Sequence, residues 1–366
     1  VSAEVPLRTP PLARLIAERI ALTGPMPLSD YMAECLLHPE HGYYSRGEAF
    51  GVAGDFTTAP EISQMFGELI GLALAQAWLD QGRPSPFVLA ELGPGRGTLM
   101  ADLLRATRAM PGFHAAARIV LVEASPALRE TQARALTGYP VEWADSVADL
   151  PDLPLFLIAN EFFDALPIRQ FHRAPEGWAE VMVQRAETGL CFGLSAAAPR
   201  APLMHRLADT APGDIVEHCP ALAPATTDLA TRIAARGGVA LIFDYGDAVS
   251  RGDTLQALRD HAPVHPLAHP GEDDLTAHVD FAEIARAAHA AGATASAMMG
   301  QGAWLERLGI TARAKALAKR MDTDEALRSH IAAHRRLTHP AEMGSLFKTI
   351  AITPNGAPQA PGYDPA

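Results

Sequence analysis

The segment "FVLAELGPGRGTLMADLLR", Phe87 to Arg105, decides how this chain is read. It opens as an apolar run suited to a buried strand, breaks at Gly93, Pro94, Gly95, Arg96 and Gly97, and resumes with apolar residues at helical spacing. A strand that ends in close-set glycines and opens a helix lets backbone N–H groups approach a ligand.

On either side the same alternation continues. "ARIVLVEAS", "YPVEWADS", "LPLFLIANEFFDALP" and, much later, "GGVALIFDYGD" are apolar runs separated by helical patterns near Thr98–Met110 and Ala127–Leu136. Runs greasy on both faces and joined by helices predict an α/β fold with a parallel, doubly wound, Rossmann-like sheet. Residues 85–165 and 236–352 are expected to form that core. Residues 1–84 read as an N-terminal helical lobe with a glycine-rich loop. Residues 166–235 read as an inserted substrate or partner lobe, begun by an antiparallel β meander with turns at Pro175-Glu176-Gly177 and Glu187-Thr188-Gly189. The Pro- and Gly-rich residues 353–366 read as a flexible tail.

The glycine spacing argues about the ligand. A dinucleotide turn sets its third glycine three residues after the second, whereas here the pattern is Gly93-x-Gly95-x-Gly97, one residue tighter, with Glu91 two residues ahead. A carboxylate beside a backbone cradle suits the cationic methionine amine of S-adenosylmethionine (SAM), which has no pyrophosphate to neutralise. Glu123, after the next strand, is placed to accept both ribose hydroxyls, and Asp145 or its neighbour Ser146, after the third, to receive the adenine amino group. A nucleotide-dependent dehydrogenase stays open as a rival, on the strength of the glycine turn and Glu123.

Ligands of open parallel sheets lie beyond the carboxyl ends of the strands, so "LIANEFFDALP" after the fourth strand faces the transferable group. Asn160, Glu161 and Asp164 are the catalytic candidates. Paired carboxylates can clamp a guanidinium bidentately, although capping and solvated roles for Glu161 and Asp164 are equally simple. Two further acid-bearing stretches can line the cleft. "GDFTTAPEIS" offers Asp55, Thr57, Thr58 and Glu61, with Pro60 between them, and "HPGEDDLTAHVDF" offers Asp273, Asp274, Thr276, His278 and Asp280; helix capping by Thr58 and Asp280 is the plainer alternative. His261, His265 and His269 are interleaved with Pro263, Pro266 and Pro270, which keeps them off one helical face, so no metal site is expected.

Across its 366 residues the chain is 48% hydrophobic and 20% charged, the balance of a globular protein. A net charge of −12 gives no phosphate-seeking field, which argues against nucleic acid and for a basic partner surface. Three scattered cysteines without CxxC spacing and a first segment lacking a signal-like apolar core lead to the expectation of a cytoplasmic protein, and no apolar stretch is long enough to predict membrane insertion. A homodimer is compatible with the exposed helical lobe.

Several blocks together resemble the MidA-type SAM-dependent methyltransferases, whose mitochondrial members are respiratory complex I assembly factors. They are "GDFTTAPEISQMFGELIG", "ELGPGRGTL", "LVEASPALRETQ", "ANEFFDALPIRQF", "LIFDYG", "GEDDLTAHVDF", "QGAWLERLGI" and "MGSLFKTI". The resemblance implies SAM as methyl donor and a protein arginine as acceptor; in the family's mitochondrial members that acceptor lies on the complex I subunit bordering the quinone site, and the product is symmetric dimethylarginine. It implies that Gly93, Gly95 and Gly97 line the cofactor with Glu91, Glu123 and Asp145 in support, and that Asp55, Thr57 and Pro60 lie near the same cleft. A SAM-binding assembly chaperone without essential catalysis is the alternative of another class.

Overall fold

The computed structural model describes residues 5–6, 10–46, 58–187, 189–259 and 261–364. The chain divides into two compact units: residues 57–163, 223–248 and 279–366 form one, and residues 1–56, 164–222 and 249–278 the other.

The first unit is built on a sheet whose principal strands are β1 (Phe87–Leu92), β2 (Ala117–Val122), β3 (Val141–Ala144), β4 (Leu155–Asn160), β5 (Gly238–Asp247), β6 (Ala293–Ala295) and β7 (Phe347–Pro354). Their spatial order is β6-β7-β5-β4-β1-β2-β3. The pairs β5–β4, β4–β1, β1–β2 and β2–β3 are parallel, while β7 runs antiparallel to both β5 and β6. All six positions of β1 and of β4 are buried, so both sheet faces must be covered. On one face Phe87, Phe156 and Phe243 join a core with Phe66, Trp78, Phe113 and Trp304. The alternate residues Val88, Ala90, Leu157, Ala240 and Ile242 are fully buried on the other.

The helix Gln64–Asp80 belongs to this unit and not to a separate N-terminal lobe. It is apolar almost all round because it crosses the helix Thr98–Thr107 at very short range. A Cβ at Gly67 would stand 2.8 Å from Asp102 Cβ, and one at Gly71 2.9 Å from Leu103 Cα. Only glycine at that four-residue spacing permits the approach. Glu68, buried at the crossing, is neutralised by Arg105 (2.6 Å) and Arg313 (2.7 Å).

The second unit joins the helices Pro11–Thr23 and Leu28–Leu37 to an antiparallel sheet centred on Gly177–Arg185, which pairs with Arg169–Ala174 and Gly189–Leu194, the expected meander. The meander forms its own sheet and shares its unit with the N-terminal helices and residues 249–278, so the contiguous lobes 1–84 and 166–235 are replaced by interleaved segments. The tail differs too. Strand β7 runs to Pro354, and Ala360 and Tyr363 are buried. The Trp304 indole N–H donates to the Pro361 carbonyl (3.1 Å), and Arg307 pairs with Asp364 (2.9 Å), so residues 355–364 are strapped to the unit.

Candidate active site

In the first unit the strand order reverses between β1 and β4, which is where connections leave in opposite directions and open a crevice at the carboxyl ends of the strands. The end of β1 presents Glu91 and the glycine turn. Gly93, Gly95 and Gly97 have φ of +57°, +50° and +83°, conformations that L side chains resist, so the turn brings backbone close without a Cβ in the way. Glu91 is buried; the Met100 N–H, in the first turn of the following helix, donates to its carboxylate, but Oε2 has no partner among the described residues. Burial pushes this carboxyl up to about 8. An unsatisfied, buried acceptor of this kind can receive a cationic donor.

At the end of β2, Glu123 is oriented by several donors. The Ser125 N–H reaches Oε1 (2.8 Å) and the Gln132 carboxamide reaches Oε2 (3.2 Å). Burial raises its pKa despite these bonds. Gln132, fully buried on the helix Pro126–Ala135, also donates to the Gly95 carbonyl (2.8 Å) and accepts from the Trp143 indole (2.8 Å). Arg129 ties the end of β2 to that of β3 by donating to the Glu123 carbonyl and pairing with Asp145. Asp145 is largely exposed, and Ser146 donates to Asp149 (2.7 Å).

The end of β4 is built differently. Glu161 has φ of +50°, a left-handed conformation that is rare for a residue with a side chain and marks a position held against its preference. Its N–H donates to the Phe243 carbonyl (2.9 Å), and the next turn is pinned by Asp244, whose buried carboxylate accepts from the N–H groups of Phe163 (3.0 Å) and Tyr245 (2.9 Å). The Glu161 carboxylate accepts from Asn160 Nδ2 (3.0 Å) and from the Ala59 N–H (3.3 Å). Asn160 Oδ1 is buried without a partner among the described residues.

Thr58 and Pro60 stand at the start of the short helix Ala59–Ile62, which is thereby joined to Glu161 and, through Glu61 and Thr98 (2.6 Å), to the helix after the glycine turn. Thr58 makes no side-chain cap, whereas Asp280 does cap its helix by accepting from the Glu283 N–H (2.8 Å). Asp55 and Thr57 lie outside the described residues. Thus Glu91, the glycine turn, Glu123, Asp145, Ser146, Asn160, Glu161, Thr58 and Pro60 share one unit. Asp164, Asp274 and His278 belong to the other. There the Tyr44 hydroxyl donates to Asp274 (3.5 Å), its pKa raised by burial and then by Asp274 and Asp164, and the His278 N–H donates to Thr254 Oγ1 (2.9 Å). Among the described residues no cluster of metal-ligating side chains forms, and His269 pairs instead with Asp273 (3.1 Å).

Sequence reading missed Gln132, Arg129 and Asp244. Gln132 and Asp244 sit inside the blocks "LVEASPALRETQ" and "LIFDYG", so the signal was position within a motif rather than residue type.

Comparison with known proteins gives this geometry its context. A family model of S-adenosyl-L-methionine-dependent methyltransferases matches residues 69–299. The human protein arginine methyltransferase NDUFAF7, mitochondrial, is 34% identical over 96% of this chain and 86% of its own, and the Xenopus tropicalis protein of that name is 36% identical over 92% and 84%. A crystal structure of a Burkholderia thailandensis protein bound to S-adenosyl-homocysteine superposes with a TM-score of 0.83 at 30% identity, covering 98% of this chain and 97% of the other. The expectation of a cytoplasmic protein is corrected by the NDUFAF7 relatives, which are named mitochondrial. No helix among the described residues is long and apolar enough to cross a membrane. The chain thus belongs to the MidA-like family of SAM-dependent methyltransferases.

Proposed function

We propose that this methyltransferase modifies an arginine side chain of a protein partner, with Glu161 as the catalytic carboxylate. When bound, SAM supplies an electrophilic methyl group. In this reading Glu91 holds the cofactor amine, the turn Gly93–Gly97 cradles its methionine portion, Glu123 accepts the ribose hydroxyls, and Asp145 with Ser146 takes the adenine edge. Glu161 accepts N–H bonds from the guanidinium, which orients it, concentrates electron density on the nitrogen facing the donor, and leaves a base for the proton released after transfer. Asn160 aims Glu161, and the segment Thr58–Ile62 closes beside it.

The observation that carries this assignment is the strained Glu161 backbone, locked from both sides at the end of the strand next to the cofactor turn. The name of the vertebrate relatives, protein arginine methyltransferase, supports the acceptor chemistry. For the partner itself we propose a subunit of respiratory complex I at the quinone site, or an equivalent protein. The test is methyl incorporation into candidate partner proteins with mass-spectrometric mapping, using wild type and Glu161→Gln. Incorporation at arginine that disappears in the variant is expected. Equal incorporation by both would remove Glu161 from the chemistry, and none by either, with SAM bound, would return the reading of a SAM-binding assembly chaperone.

A further inference from the structure

We propose that Gln132 is a positioning residue for cofactor recognition: it locks the glycine turn to the acid of β2 and so sets how strongly the site discriminates for the ribose hydroxyls. The proposal rests on Glu123 being the ribose acid.

A carboxamide offers two N–H donors and one carbonyl, and all three directions are used here. One side donates to Gly95 O and to Glu123 Oε2, and the carbonyl accepts from Trp143 Nε1. The residue is 0% exposed, so no water competes for these bonds. Its backbone also rests on the turn, since a Cβ at Gly97 would lie 3.5 Å from Gln132 Cα. The partners belong to three consecutive strand ends: β1 through Gly95, β2 through Glu123, and β3 through Trp143. One side chain therefore fixes the distance between the cradle and the acid.

The consequence for Glu123 is specific. With Oε1 held by the Ser125 N–H, Oε2 by Gln132 and a further bond from the Ala124 N–H, the carboxylate plane is set, which fixes the direction from which vicinal hydroxyls are received. Without Gln132 the Oε2 side of the carboxylate loses its side-chain donor and only backbone N–H groups orient it, and two neighbouring polar groups, the Gly95 carbonyl and the Trp143 N–H, lose their buried partner. Glutamate in its place would offer no donor to Gly95 or Glu123 and would set a second negative charge against the first.

The experiment is calorimetric titration of wild type, Gln132→Leu, Gln132→Glu, Glu123→Ala and the Gln132→Leu/Glu123→Ala double variant. The ligands are S-adenosyl-homocysteine and its 2′,3′-dideoxy analogue. Gln132→Leu is expected to weaken the parent ligand about tenfold, the loss of one hydrogen bond to a charged group, while the analogue changes by less than about threefold. The double variant is expected to bind the parent ligand as weakly as Glu123→Ala alone, since both act through one carboxylate. Gln132→Glu, nearly isosteric and the fallback if Gln132→Leu does not fold, is expected to lose preference for the hydroxyls increasingly as pH rises. Equal weakening of both ligands, or an unchanged preference in either folded Gln132 variant, overturns the proposal. Preference retained in Glu123→Ala would instead sink the ribose assignment itself.

Discussion

Glu91 and Glu161 are the same residue at the ends of neighbouring parallel strands, yet the fold treats them oppositely. Glu91 sits in regular strand backbone, dry, with one oxygen unsatisfied and its carboxyl pushed up to about 8. Glu161 is half-buried, supplied with donors from Asn160 and Ala59, and forced to a φ of +50°. The first arrangement stores an electrostatic want that an ammonium group can relieve. The second stores conformational strain that fixes where a carboxylate points. A cofactor amine needs the former; an acceptor side chain that arrives, reacts and leaves needs the latter.

The harshest way to break the comparison is at the turn beside Glu91. Gly95→Val places a branched side chain at a φ of +50° and in the space proposed for the cofactor, so SAM affinity should fall by more than about 100-fold in a folded protein. Calorimetry checks it, and unchanged affinity would detach the turn from the cofactor. Next, Glu161→Gln should lower kcat by about 100-fold while SAM affinity stays within about threefold, because the role proposed for this acid is toward the acceptor. A large loss of SAM affinity in that variant would merge the two acids into one role.

The third prediction sharpens the electrostatic half. Glu91 has a folded pKa above its ordinary value, so its contribution to stability is fully present below about pH 4.5 and is lost as pH rises through about 8. In that window the free protein keeps the proton, and pairing with the cofactor amine expels it. SAM affinity should therefore climb with pH toward about 8 with net proton release, and Glu91→Gln should flatten the profile and cost about tenfold near the top. Titration in buffers of differing ionisation enthalpy reads both. The smallest effect tests the strain. At 161, glycine should be more stable than alanine by about 1 kcal/mol, whereas at 91 alanine should win by about as much; thermal unfolding of the four variants decides.

Much of this was legible from the residues alone. Unbroken apolar runs such as "FVLAEL" and "LFLIAN" can only be buried on both faces, and the parallel sheet follows; the tight glycine spacing and the strand-end acids then select the cofactor. The rest was hidden for identifiable reasons. Gln132 lies in "PALRETQARA", a polar helix in which a glutamine reads as solvated, and its three partners sit at the ends of three different strands. A positive φ at Glu161 has no signature in a residue type that rarely adopts it. The helix Gln64–Asp80 was assigned to the wrong lobe because an all-round apolar helix does not say which sheet it covers. In the tail, composition suggested mobility, whereas Tyr363 and Ala360 find burial that no local pattern reveals.

The late entry of β7 bears on how the protein is made. This strand, Phe347–Pro354, lies between β5 and β6 in the sheet although both are synthesised long before it. A ribosome extending the chain thus releases β5 with one edge lacking its native neighbour until nearly the whole polypeptide has emerged. Unpaired edges of apolar strands are where nascent proteins associate wrongly, so this one invites shielding by a cellular chaperone during translation. Loss of the final residues by premature termination would leave a sheet that cannot close, and such fragments should aggregate rather than persist as a smaller methyltransferase.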